Sequence, residues 1–205
     1  MRTGLGLRAC KGGAVAVGLR IEKGEPRLLV STFLKTHEDG NRLSLEPYRI
    51  AAEMAADEQG VTPEVAAAVA EGRRRQDALA TEALRHLVEG LADMERERIA
   101  VALLVNRAGW ITELLSYSLA FADHVPVAEA LAIRDALRCA FGRCAIAAIE
   151  LDEKSLPDTA SARLCRSQAE IDGTLKALGA KAGKPWRKEQ KLACLAAWVA
   201  AAGQG

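Results

Sequence analysis

The sequence has few aromatic residues and no long uninterrupted apolar stretch. Aromatic side chains account for 4% of its 205 residues although 50% of all residues are apolar, so we expect a mainly aliphatic core. No segment approaches the roughly 20 consecutive apolar residues that a membrane-spanning helix requires. The opening residues also lack the apolar region of a signal peptide, because Arg8 interrupts it. The sequence therefore predicts a soluble, cytoplasmic protein.

An excess of charge of one sign is also missing. The chain has 28 basic and 27 acidic side chains, for a formal net charge of +1, so no overall field draws it to nucleic acid or membranes. Anion binding would have to come from a local cluster of cations. The length fits one domain spanning residues 1–205.

Several familiar site motifs are absent. The sequence contains no G-x-S-x-G nucleophile elbow, no G-x-x-x-x-G-K-[ST] phosphate loop and no G-x-G-x-x-G dinucleotide turn. Its three histidines have no partner at metal-ligand spacing. The odd number of cysteines and their scattered positions favour reduced thiols over a disulfide framework. These cysteines are Cys10, Cys139, Cys144, Cys165 and Cys194.

The first third of the chain has the alternating pattern of β-strands. Thr3 to Cys10 alternates apolar residues, and a second alternating run follows the turn Lys11-Gly12-Gly13. A third β-rich run extends from Arg27 to Thr36. The short connections predict an antiparallel three-stranded meander.

The remainder alternates between helical and strand patterns. Thr62-Pro63-Glu64 is a strong helix start, and Arg98 to Asn106 and Cys144 to Leu151 are apolar runs typical of buried parallel strands. Helical segments precede and follow each of these runs, with an interruption from Gly179 to Pro185. We expect an α/β fold: a mixed five-stranded sheet, three antiparallel strands and then two parallel ones, with helices on both faces.

Two stretches and this order of elements resemble a known family. The opening LGLRACKGGAVAVGL and the later AEALAIRDALRCAFGRCAIAAIELDEKSLP are similar to Holliday-junction resolvases of the ribonuclease H-like superfamily. The resemblance implies a cleft in which clustered carboxylates hold two divalent metals that activate water.

At the positions where the resemblance implies carboxylates, this chain offers other residues. Arg8 stands at the position on strand one, and the strand-four run ends in Asn106 and Arg107. The final helix offers Lys188 and Lys191 beside Glu189. Because cations would repel the metals, the resemblance implies that the catalytic acids are lost and that no metal is held.

Other acids leave an enzymatic alternative open. Glu113, Glu150 and Asp152 lie near the carboxyl ends of the predicted parallel strands, where α/β sheets place ligands. They could serve a divergent Mg²⁺-dependent nuclease, and the turn Lys11-Gly12-Gly13 is similar to that of actin-like ATP-handling enzymes. The competing interpretation is structural, with Glu113 stabilising a helix N-terminus and Asp152 in a solvated loop.

Basic residues gather where the last helix begins. Positive charges at a helix N-terminus oppose the helix dipole, and a bound anion would offset that cost. Trp186 within the cluster could stack on a base or act as a hydrophobic staple. Together with Arg8, Lys11, Asn106 and Arg107, the predicted nucleic-acid or phosphate site contains Lys184, Arg187, Lys188 and Lys191.

We weigh three functions on these grounds. The first is a resolvase-like protein that binds nucleic acid or another phosphate-bearing ligand without hydrolysing it. The second is the enzyme described above. The third is an interaction module that could form a homodimer. It is favoured by alanine-rich helices and by aromatics that we expect to be exposed, Trp110, Trp186 and Trp198.

Overall fold

Five strands form one mixed sheet. The computed structural model describes residues 2–58, 60–95, 99–106 and 110–203. The sheet has the order β3-β2-β1-β4-β5, with β1–β3 antiparallel and β1, β4 and β5 parallel to one another. The predicted meander and parallel pair are thus confirmed. The strands are β1 Arg2–Cys10, β2 Gly13–Glu22, β3 Glu25–Lys35, β4 Ile99–Val105 and β5 Ala148–Asp152.

Helices cover both faces of this sheet. The long helix predicted from Thr62-Pro63-Glu64 begins at Pro63, where the Thr62 hydroxyl accepts from the Val65 backbone N–H at 3.3 Å. No helix in the described ranges is long and apolar enough to cross a membrane. The helices are α1 Arg42–Leu45, α2 Pro47–Glu58, α3 Pro63–Glu95, α4 Leu114–Ala120, α5 Val125–Arg143, α6 Leu156–Leu164, α7 Gln168–Ala182 and α8 Lys188–Ala202, with a 3-10 turn at Ala122–His124.

The structure corrects some predicted boundaries. Strand five begins only at Ala148, because the chain after α5 makes a turn in which Ala145 has a φ of 53°. The helical region after β5 is broken once more than predicted, at Cys165, whose φ of 51° ends α6. Ser167 then begins α7 by a capping box with Glu170.

The central strand β1 presents different residues to its two faces. Leu5 and Leu7 face α3 and α5 in one aliphatic core. Gly4 and Gly6 face the other way, directly against the backbone of α8. Because successive residues of a strand point to opposite faces, Arg8 lies on the same face as Gly4 and Gly6. The short glycine surface therefore lets α8 lie close along β1, with its first turn beside Arg8.

The three tryptophans differ in exposure. Trp110 is 71% exposed, but Trp198 is 2% exposed and packs in the core between α8 and the sheet. The expectation that Trp198 is exposed is therefore wrong, since it belongs to the apolar stripe of the last helix. Trp186 is half-buried and donates from Nε1 to the Leu175 carbonyl at 3.1 Å.

Candidate nucleic-acid interface

Arg8 lies where β1, the residues after β5 and the start of α8 meet. Its Nε and Nη2 donate to the two carboxylate oxygens of Glu153 at 3.0 and 3.1 Å. Nη1 lies 4.0 Å from a carboxylate oxygen of Glu189, in the first turn of α8. The Arg8 side chain is 22% exposed, so this bidentate pair is partly shielded from water.

The two carboxylates nearest Arg8 both contact its guanidinium. Glu153 and Glu189 lie on either side of Arg8, where they satisfy its charge. Among residues 2–58, 60–95, 99–106 and 110–203, no group of three or more His, Cys, Asp or Glu side chains could hold a metal ion.

The predicted basic cluster at the start of α8 is exposed. Lys184, Arg187, Lys188 and Lys191 project into solvent. Gln190 accepts from the Arg187 backbone N–H at 2.9 Å and so caps the helix. Trp186 lies so close over Gly179 that a Cβ there would be 2.2 Å from its ring, which supports the staple interpretation.

The ion pairs in the described part of the chain leave these four cations without a carboxylate partner. Their charge is therefore available to a phosphate backbone. Glu189, in the first turn of α8, lies 4.0 Å from Arg8, so the start of α8 is adjacent to β1, the central strand of the sheet.

The other predicted binding residues lie in different surroundings. Asn106 is exposed at the end of β4 and accepts from Arg134 Nη2, while Arg107 lies outside the described residues. Lys11 donates to Glu46 at 2.9 Å and lines a separate cavity near α2 and α5.

The alternative acids Glu113, Glu150 and Asp152 have structural contacts. Glu113 accepts from backbone N–H groups at the start of α4; burial raises its pKa, but these hydrogen bonds outweigh burial and lower it overall. The hydrogen bonds from Arg138 hold the pKa of Glu150 below its usual range. Asp152 accepts from the Ser155 hydroxyl at 3.2 Å.

Three arginines that the sequence analysis did not select surround a cavity of about 320 Å³. Arg134 and Arg138 are one helical turn apart on α5, and Arg73 approaches from α3. The i, i+4 spacing of Arg134 and Arg138 on α5 was the available signal for two of them. The run Arg73-Arg74-Arg75 is instead typical of a solvent-exposed helix face. Asn106 lines this cavity too, and the Arg134 guanidinium from which it accepts is close enough to Arg8 and Glu153 to be affected by their charges.

Exposed aromatic residues lie on both sides of the cavity residues 111–114 in the sequence. Trp110 meets Tyr117 edge-on with ring centroids 5.4 Å apart, and Tyr117 stacks on His124 at 4.0 Å. Phe121, 68% exposed, contacts the same histidine. Trp110 is adjacent to Ile111 and Thr112, which line the arginine cavity.

The sheet order, its antiparallel and parallel pairs and its flanking helices define a ribonuclease H-like α/β fold. Among solved structures, the chain is similar to RuvC from T. thermophilus in complex with a Holliday junction substrate. The TM-score is 0.50 at 11% identity, over 97% of this chain and 92% of that one. A second Thermus thermophilus RuvC structure gives 0.49 at 14% identity, over 96% and 92%. No family model and no curated protein match the sequence.

Proposed function

We propose that this chain binds nucleic acid, or another phosphate-bearing ligand, along the cleft between Arg8 and the start of α8, and that it does so without two-metal hydrolysis. The observation that carries the proposal is the set of exposed cations at the start of α8, next to an Arg8 guanidinium that Glu153 and Glu189 already engage. The similar RuvC structure holds a Holliday junction, which supports a nucleic-acid ligand here.

Electrostatics explains why this arrangement disfavours metal. A unit positive charge about 4 Å from another contributes roughly 4 kcal/mol of repulsion at an effective dielectric constant of 20. The Arg8 guanidinium would repel a dication placed beside it twice as strongly, and Glu153 could bind the dication only by giving up its bidentate pair with Arg8. The proposed loss of the catalytic acids therefore extends to the loss of metal binding.

The exposed cations supply the attraction that a polyanion needs. Lys184, Arg187, Lys188 and Lys191 lack carboxylate partners within the described ranges, and each would neutralise a backbone phosphate. The five described cysteines are all free thiols, which suits the cytoplasmic location that we include in the proposal.

Charge reversal at the start of α8 tests the proposal. We expect wild-type protein to bind branched, duplex or single-stranded DNA or RNA in fluorescence anisotropy, with affinity falling steeply as salt rises. Replacing Lys188→Glu and Lys191→Glu together should weaken binding about tenfold or more and reduce the salt slope by about two. Lys23→Glu, in the β2–β3 turn at the opposite end of the sheet, should leave binding unchanged.

Two results would contradict the proposal. Absence of salt-sensitive binding to every nucleic acid would remove its ligand. Cleavage of a branched DNA in Mg²⁺ or Mn²⁺, abolished by Glu153→Gln, would instead show that the carboxylates beside Arg8 support metal-dependent hydrolysis.

A further inference from the structure

Arg134 is a buried cation on α5. It is 7% exposed, and burial lowers the pKa of its guanidinium, with Arg138 adding to that effect. Its Nη2 donates to the side-chain oxygen of Asn106. Its Nε is buried and has no hydrogen-bond partner among the described residues. A buried donor without a partner is costly, so the single hydrogen bond to Asn106 leaves the guanidinium of Arg134 incompletely satisfied.

The neighbouring acids are occupied by other arginines. Asp135 accepts from Arg73 and Arg138, both at 3.0 Å, and Glu150 accepts from Arg138 at 2.7 Å. Glu153 attracts Arg134 through its charge, but Arg8 binds Glu153 bidentately. The charge of Arg8 in turn repels Arg134. Of the three cations at the cavity, Arg134 is therefore the one whose direct partner is neutral.

The cavity of about 320 Å³ beside Arg134 has the features of a ligand site. It reaches the lower end of the size range of small-molecule pockets, about 300 Å³. Thr112 also lines it and can provide a hydroxyl donor, while the Glu113 carboxylate accepts from backbone N–H groups at the start of α4. Three residues supply an apolar wall: Ile111, Leu114 and Leu131.

We propose that this cavity binds a terminal phosphate monoester, with Arg134 as its principal ligand. A phosphate dianion offers oxygens to the guanidinium of Arg134 and to Thr112, and its charge would compensate the buried cation. The apolar wall accommodates the carbon skeleton to which the phosphate is attached. This inference rests on the proposed function, because the ligand that it favours is the end of a nucleic-acid strand.

The terminal phosphate of a nucleic-acid strand is the source that the surroundings favour. Trp110, 71% exposed, precedes the cavity residues Ile111 and Thr112 in the chain and offers a ring on which a base can stack. Free phosphate carries the same charge, but it would leave the apolar wall and the exposed ring of Trp110 uncovered.

Paired oligonucleotides test the inference. We expect wild-type protein to bind a 5′-phosphorylated single strand about tenfold more tightly than the same strand with a 5′-hydroxyl, from one charge-assisted site. Arg134→Met should abolish this preference while binding of the hydroxyl strand persists. Arg85→Met removes an exposed cation from α3 and should keep the preference. Inorganic phosphate should raise the melting temperature of wild type but not of Arg134→Met.

The outcomes separate the inference from the function on which it rests. Equal affinity for both strands with no phosphate-dependent stabilisation, while salt-sensitive binding persists, would overturn the inference alone. A preference retained in Arg134→Met would overturn it too, and the melting curve of that variant shows whether it is folded. A phosphate effect without any nucleic-acid binding would overturn the proposed function and the strand as source.

Discussion

Gly6→Ala should destabilise the protein by about 3 kcal/mol, the upper end of the usual cost of overpacking, because the neighbouring atoms are rigid backbone. A Cβ at Gly6 would lie 1.9 Å from the Ala193 carbonyl oxygen and 2.7 Å from the Ala197 backbone nitrogen. Both atoms belong to the backbone of α8, so no side chain can rotate away. The whole helix would have to move off β1, opening the core that it fills.

The matched control is Gly173→Ala in α7, where a Cβ would meet nothing within 4 Å. Alanine is favoured over glycine in a helix by about 1 kcal/mol, so this substitution should stabilise the protein slightly. Urea unfolding followed by circular dichroism measures both changes. If Gly6→Ala unfolded at the wild-type midpoint, the close packing of α8 on β1 would be wrong.

The fold could be predicted because its signals are local. Alternating apolar residues specify β1 and its neighbours, and the positive φ of 75° at Gly12 is the turn geometry expected of Lys11-Gly12-Gly13. The end of α6 at Cys165 could not be predicted in this way. A non-glycine residue in the left-handed region has no sequence signal of its own, and tertiary packing decides it.

The candidate site could be predicted only in part. The resemblance to the resolvases implied that Arg8 lies on the central strand, and the structure confirms that β1 lies in the middle of the sheet. Its pairing with Glu153 spans 145 residues, and no local pattern reports such a contact. The burial of Arg134 was missed because a charged residue in a helix is usually exposed.

A buried carboxyl group makes the stability of this protein depend on pH. Glu129 is 6% exposed, and one of its oxygens accepts from the backbone N–H groups of Tyr48 and Arg49 at 2.8 and 3.0 Å. The other oxygen has no hydrogen-bond partner among the described residues. Burial outweighs the backbone hydrogen bonds and raises the pKa of Glu129 to about 7 from 4.5.

Glu129→Gln should remove this dependence. Between pH 4.5 and about 7 the folded protein keeps a proton that the unfolded chain has released, so stability falls as pH rises and is flat beyond. The loss amounts to about 3 kcal/mol at pH 8. Glutamine retains an oxygen for Tyr48 and Arg49 but does not ionise. The variant should therefore match wild type near pH 4.5 and exceed its free energy of unfolding by about 3 kcal/mol at pH 8.

Urea unfolding of both proteins across this range measures the difference directly, and other titrating groups cancel in the comparison. Glu113→Gln is the control of opposite sign, because hydrogen bonds lower the pKa of Glu113. Its ionised form contributes stability above the unfolded pKa, and that contribution is lost as pH falls. Glu113→Gln should therefore weaken the protein at pH 8 rather than strengthen it. A constant difference between wild type and Glu129→Gln at every pH would mean that the pKa of Glu129 is the same in the folded and unfolded states, and so that burial does not raise it.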